Sequence, residues 1–173
     1  MKRAYLGIGS NQGDRQASLL EAIRCITNLP GVILSKVSGL YETEPVGNIE
    51  QAFFLNAVVE IETKTNAITL FKRIQGIEIR MGRTRTLRWG PRTIDIDLLA
   101  VDSCTVHTAT LDVPHLELAN RRFVLVPFNE IAPGFNVPGL DKNIQQLLNE
   151  TTDICKVELY LTSTAVKKKL KEV

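Results

Sequence analysis

Cysteine is scarce in this 173-residue chain. Cys25, Cys104 and Cys155 are odd in number and form no C-x-x-C pair, which argues against a disulfide framework and against a thiolate zinc site. Histidine is scarcer still, with two residues. No apolar run approaches the roughly 20 residues that span a bilayer. Met1-Lys2-Arg3-Ala4-Tyr5 leads straight into a strand pattern without the apolar core of a signal peptide. These absences point to a cytoplasmic protein with no membrane partner. A large charge of one sign is also missing: the net charge is +2, a weak footing for a general nucleic-acid binder. There is no G-x-x-x-x-G-K-[ST], so no P-loop, and Gly7-x-Gly9-x-x-x-Gly13 places its last glycine one residue late for a dinucleotide fingerprint. Repeats, linkers and low-complexity tracts are absent, and the length fits one domain over 1–173.

What is present concentrates in Arg83 to Asp97, R-T-R-T-L-R-W-G-P-R-T-I-D-I-D. Thr93 to Leu99 alternates polar and apolar residues up to Leu98, so it reads as a strand with Ile94, Ile96 and Leu98 on one face. Asp95 and Asp97 then project together from the other, with α-carbons roughly 7 Å apart. Carboxylates so spaced can share or bridge hard cations such as Mg²⁺; a solvated strand face is the plainer alternative. Arg80, Arg83, Arg85, Arg88 and Arg92 crowd thirteen residues, with only Glu78 near to neutralise them. Guanidinium forks suit bidentate contact with phosphate. Thr84 to Pro91 lacks periodicity and ends at Gly90-Pro91, so it reads as a loop. A solvated basic loop, or a nucleic-acid patch, leaves the two aspartates unexplained. Phosphoryl chemistry on a metal-held polyanion accounts for both.

The remaining elements follow from periodicity. Arg3 to Ile8 reads as a strand ending at Gly9-Ser10-Asn11, and a helix with Leu19, Leu20, Ile23 and Ile26 inward runs to about Asn28. Val32 to Leu40 is a second strand, Tyr41 to Asn48 a surface loop, and Phe53 to Thr63 a third strand. In that strand Asn56 sits among apolar neighbours, where an amide needs partners or reads the edge of a ligand. Asn66 caps a second helix to Met81 with Ile68, Phe71, Ile74, Ile77 and Met81 inward. Val101 to Val106 reads as a hairpin turn with a return strand. A third helix runs from about Asn120 to Ile131, and Asn143 to Leu148 forms a short one. Val157 to Leu161 adds a strand, and Lys167 to Lys171 is a solvated basic tail. Alternating strands and helices in this order predict an α+β fold, a ferredoxin-like sandwich, with a mainly antiparallel sheet and helices packed on one face.

Arg88-Trp89-Gly90-Pro91-Arg92-Thr93-Ile94-Asp95-Ile96-Asp97-Leu98-Leu99 resembles the signature of the 6-hydroxymethyl-7,8-dihydropterin pyrophosphokinase family of folate biosynthesis. The resemblance covers about residues 3 to 150 and leaves about 151–173 as a C-terminal extension. It implies the same ferredoxin-like fold and an ATP-dependent diphosphotransferase: Mg²⁺-dependent transfer of pyrophosphate from ATP to the pterin, giving AMP and the pterin diphosphate. It implies two Mg²⁺ ions on Asp95 and Asp97, with Arg83 and Arg92 completing the catalytic set. For ATP it implies Gln75, Arg83, Arg85, Arg88, Arg92, Leu98, His115 and Arg121. For the pterin it implies Thr43, Val46, Asn56 and Trp89, with the ring held between Phe54 and Phe123. The arginine loop would close with Trp89 to exclude water. The chain differs from some relatives at Phe54, Leu116 and Arg122. The expected partners are the two small-molecule substrates, with no nucleic acid, and a monomer is favoured over a dimer. Two other classes stay open on the residues alone: a nucleic-acid-binding module on the basic loop, and a Mg²⁺-dependent enzyme transferring a nucleotidyl group or the γ-phosphate.

Overall fold

A computed structural model describes residues 1–45, 50–82 and 93–172. Its centre is β1 (Lys2–Ser10), flanked by β4 (Phe54–Thr63) and β5 (Asp95–Val101), both antiparallel to it. On the far side of β4 lie β2 (Val32–Val37) and β3 (Leu40–Thr43), also antiparallel. This is the split β-α-β, β-α-β arrangement expected of a ferredoxin-like sandwich. The expected second strand is two strands: the register on β4 shifts between Leu34 and Lys36, and Tyr41 to Thr43, expected as loop, continues the sheet as β3.

Alternation along β1 divides the molecule. Ala4, Leu6 and Ile8 face α1 (Arg15–Thr27) and α2 (Ala67–Arg80), joined by Leu55, Ala57, Val59 and Ile61 from β4 and by Ile94, Ile96 and Leu98. Asp14 caps α1 through the Ala17 N–H at 2.9 Å, and Asn66 caps α2 through the Thr69 N–H at 2.9 Å, each cap contributing about 1 kcal/mol. Within α2 the inner stripe is Ala67, Leu70, Ile74, Ile77 and Glu78, whereas Ile68 is exposed, a correction of the expected stripe. Burying three large aliphatics at roughly 2 kcal/mol each outweighs the roughly 1 kcal/mol cost of Gly76. A Cβ on Gly76 would meet nothing within 4 Å, so packing does not explain that glycine.

The opposite face is covered too, which corrects the expectation of helices on one side. Tyr5, Val58, Leu99 and Ala100 pack against α3 (Arg122–Ile131) and α4 (Ile144–Glu150) through Val124, Leu125, Phe128, Ile144 and Leu147. A bulge makes this possible. The β1–β5 register jumps from Leu6↔Leu98 to Tyr5↔Ala100, so Leu99 is the extra residue. Beyond the bulge Leu99 and Ala100 both join the α3 side, while Leu98 and Val101 stay with α1 and α2.

The connections hold two further corrections. Val101 bridges back to Cys104, but the return segment β6 (Val106–His107) pairs with β7 (Asp112–Val113) rather than with β5. Ala132 to Val137 has the pattern of a plain connection, yet Asn136–Val137 (β8) pairs with Lys142–Asn143 (β9). At the C-terminal end β10 (Val157–Leu161) extends the sheet on β3. The expected solvated tail is instead α5 (Ser163–Lys171): Val166 is fully buried against the α1–α2 core, the Ser163 hydroxyl donates to the Val37 carbonyl at 2.7 Å, and Arg24 donates to the Lys169 carbonyl. Among the described residues, no helix is long and apolar enough to cross a membrane.

Candidate active site

Alternation that buries Ala4, Leu6 and Ile8 turns Gly7 and Gly9 to the opposite face, at the end of the sheet that α3 leaves uncovered. Asn56 and Asp95 flank Gly9 in register, and Val58 and Asp97 flank Gly7. The middle strand therefore carries no side chain between a row from β4 and a row from β5. Two interstrand spacings put Asn56 and Asp95 about 10 Å apart at their backbones. Over this glycine floor opens a cleft of about 1000 Å³, lined among others by Thr43, Phe54, Asn56, Asp95, Asp97, His115, Arg121 and Phe123. Gly9 has a steric reason to be glycine: a Cβ there would lie 2.6 Å from Asn56 Oδ1.

At the β4 end of the floor, Asn56 is 8% exposed and its Nδ2 donates to Thr43 Oγ1 at 2.7 Å. Thr43 is itself buried at the end of β3, directly across from Phe54. The amide is thus held in one orientation with its oxygen above Gly9. Phe54 and Phe123 line the same cleft from β4 and from the first turn of α3. The segment that follows the first strand is pinned behind this end. Asn11, nearly buried, donates to Gln51 Oε1 at 3.0 Å and to the Ala52 carbonyl at 3.2 Å. Arg15 donates to the Phe53 carbonyl at 2.7 Å and pairs with Glu42 at 2.8 Å.

The β5 end carries the charge. Asp95 and Asp97 both face the cleft, as the alternation of the strand requires. Between them, the backbone N–H of Ile96 points out of the sheet edge and donates at 2.8 Å to Glu78, a carboxylate only 4% exposed on α2. His115 is tied to the same strand, its N–H donating to the Leu99 carbonyl at 2.8 Å. Its Nδ1 accepts the Glu117 N–H at 3.1 Å, so the neutral ring carries its proton on Nε2 and offers a donor there. The Arg121 guanidinium lies 5.9 Å from the Phe123 ring centre, within cation–π range. Two carboxylates make a hard-oxygen pair suited to Mg²⁺, whose remaining positions substrate phosphate and water ordinarily fill. Among the described residues there is no cluster of three or more acidic, histidine or cysteine ligands.

The structure thus brings Thr43, Phe54, Asn56, Asp95, Asp97, His115, Arg121 and Phe123 into one cleft. It does not bring two others there. Leu98 is buried against α1 and α2, on the face of β5 opposite the aspartates, because odd and even residues of that strand diverge before the bulge. Gln75 lies on α2, half-buried and outside the cleft lining. Val46, Arg83, Arg85, Arg88, Trp89 and Arg92 lie outside the described residues. Sequence reasoning missed the glycine floor, although β1 alternation already put Gly7 and Gly9 opposite Leu6 and Ile8. It took Glu78 only as a neighbour to the arginines, although four residues after Ile74 it falls on the inner stripe of α2. Asp153 and Thr152, also in the lining, gave no signal.

Comparison with known proteins bears on this cleft directly. A model of the 7,8-dihydro-6-hydroxymethylpterin-pyrophosphokinase family matches residues 5–133. A Bacillus subtilis (strain 168) protein named 2-amino-4-hydroxy-6-hydroxymethyldihydropteridine pyrophosphokinase is 46% identical over 128 residues, covering 74% of this chain and 77% of its own. A protein of the same name from Methylorubrum extorquens is 44% identical over 139 residues, 80% of this chain and 88% of that one. The bifunctional protein FolKE of Lactococcus lactis is 41% identical over 131 residues, but the match spans only 38% of its length. Among solved structures, a wild-type Plasmodium falciparum HPPK-DHPS with pteroate superposes with TM-score 0.68 at 17% identity, over 86% of this chain and 42% of that one. That likeness concerns the fold, and this chain spans less than half of the solved one.

Proposed function

The chain belongs to the 7,8-dihydro-6-hydroxymethylpterin-pyrophosphokinase family, and from that premise we propose how its own cleft performs a pyrophosphate transfer from ATP to 6-hydroxymethyl-7,8-dihydropterin. The supporting observation is the two-ended floor: an oriented amide between two phenylalanines at one end, paired carboxylates with a histidine and an arginine at the other, and bare glycine between them.

A pterin is flat, with an amide-like edge. Asn56, fixed by Thr43, reads that edge, while Phe54 and Phe123 stack on the ring. Val46 and Trp89 belong to the same pocket by sequence. Lying along the glycines, the ring points its hydroxymethyl group toward β5. The hydroxymethyl oxygen attacks the β-phosphorus of ATP, the β-phosphorus bond to the α–β bridging oxygen breaks, and AMP leaves as the hydroxyl proton is lost. Asp95 and Asp97 would hold two Mg²⁺ ions, which when bound neutralise the phosphate charge. His115, through Nε2–H, and Arg121 donate to phosphate oxygens from the α3 side, and Arg83, Arg85, Arg88 and Arg92 do so from the connecting segment. Gln75 and the backbone of Leu98, both outside the cleft lining, contact the nucleotide beyond the cleft, the Leu98 side chain being buried elsewhere. Little covalent work falls to the protein; alignment and fixed charge supply the acceleration. The protein acts as a cytoplasmic monomer.

Variants at the two ends separate the roles. Asn56→Ala should raise the pterin dissociation constant at least tenfold and leave ATP binding within twofold. Asp97→Ala should abolish turnover while the folded protein still binds pterin. Loss of pterin affinity in Asp97→Ala equal to that in Asn56→Ala would contradict the assignment.

A further inference from the structure

Resting on that reading, we infer that Asp153, from the C-terminal segment beyond the stretch matched by the family, is a positioning residue for the pterin pocket. Helix α3 begins at Arg122 without a side-chain cap of its own: its N-cap position is Arg121, whose side chain makes no capping bond. The missing cap comes from 31 residues further along the chain. Asp153 Oδ2 accepts the Arg122 N–H at 2.7 Å. Arg122 stands between Arg121 and Phe123, so this one bond fixes the backbone from which both cleft-lining side chains leave.

The other carboxylate oxygen is also committed. Asp153 Oδ1 accepts the Cys155 N–H at 2.9 Å, and the Asp153 N–H reaches Thr151 Oγ1 at 3.3 Å. This turn delivers the chain into β10, where Val157 pairs with Thr43 and Glu158 with Glu42. The Cys155 thiol contacts the Glu44 carbonyl at 3.7 Å. Residues 153–157 therefore join two walls of the cleft: the start of α3, carrying Arg121 and Phe123, and the end of β3, carrying Thr43, which orients Asn56. Thr152 and Asp153 themselves line the cleft. At the far end of α3 a second tie joins the helix to β3, where Tyr41 Oη and the Gly39 N–H donate to Glu130 at 2.8 and 2.9 Å, so residues 153–157 fasten the end nearer Arg121 and Phe123. The segment sets the width of the slot into which a flat ring must slide.

The test uses the full chain with Asp153→Ala and Asp153→Asn. Asparagine keeps one acceptor oxygen and loses the second, so it should behave as a partial rescue. Dihydropterin binding is followed by fluorescence, alongside thermal unfolding and the steady-state constants. The expected result is a five- to twentyfold rise in the pterin dissociation constant for alanine, about half that effect on a logarithmic scale for asparagine, and kcat at saturating pterin within threefold of wild type. A cap serving stability alone would lower the melting temperature while leaving pterin affinity unmoved in folded protein, and that result overturns the inference. Wild-type protein measured beside the variants keeps the two claims apart: failure of the wild type to bind pterin refutes the reading of the cleft, whereas tight binding shared by all three proteins refutes only the role of Asp153.

Discussion

Replacing Gly9 by alanine tests the floor of the cleft at one atom. A Cβ at position 9 would lie 2.6 Å from Asn56 Oδ1 and 3.8 Å from the Leu55 carbonyl oxygen. Carbon–oxygen contacts ordinarily settle at about 3.3–3.6 Å, so the Asn56 amide must swing away by roughly 0.7 Å or more. Its bond to Thr43, 2.7 Å long, is stretched by up to about the same amount, and two buried polar groups lose most of that contact. The cost is about 1–3 kcal/mol. Alanine in a strand returns about 0.5–1 kcal/mol relative to glycine, so a net destabilisation of up to roughly 2.5 kcal/mol is expected, with pterin affinity reduced about tenfold. Gly7→Ala is the control. Its Cβ would first meet the Leu99 side chain, at an ordinary contact distance of 3.4 Å, and should leave stability unchanged or slightly raised. Urea unfolding and pterin titration of Gly9→Ala, Asn56→Ala and the double variant complete the cycle. In the Asn56→Ala background the stability penalty of Gly9→Ala should vanish. A Gly9→Ala protein with wild-type stability and pterin affinity would refute the argument.

Two further outcomes follow from groups buried away from the ligands. Glu78→Ala leaves the Ile96 N–H, now bonded at 2.8 Å, without an acceptor; unfolding should show a loss of about 1–3 kcal/mol and kcat should fall, because the residues either side are Asp95 and Asp97, whereas Glu78→Gln, which keeps an acceptor oxygen, should retain most of both. Val166→Asp places a carboxylate at a fully buried site between α5 and the core, and should cost more than about 2 kcal/mol; an unchanged urea midpoint would return residues 163–171 to the solvated tail that their lysines suggest.

Much of the arrangement was legible in the sequence because it follows from local period. Alternation in Thr93 to Leu98 put Asp95 and Asp97 on one face, and alternation in β4 put Phe54, Asn56 and Val58 together. Asn66 capped its helix as its residue type and place require. What escaped prediction depends on contacts distant in sequence. The bulge at Leu99 changes which face Ala100 and Val101 occupy, and only pairing with β1 reveals it. Helices on both faces follow from Val58 and Tyr5 being apolar partners for α3, yet a strand with an occasional polar residue looks one-sided when read alone. The lysine-rich end reads as solvated because four of its residues are lysine, while the single residue that docks it, Val166, is too small a signal. Asp153 caps a helix 31 positions earlier, a relation no local pattern encodes.

The most direct measurement mixes the purified chain with ATP, Mg²⁺ and 6-hydroxymethyl-7,8-dihydropterin and identifies every product. The account predicts AMP formed one-for-one with the pterin diphosphate, and only when the pterin is present. ADP or free pyrophosphate as the nucleotide-derived product, or no turnover by folded protein, would contradict it.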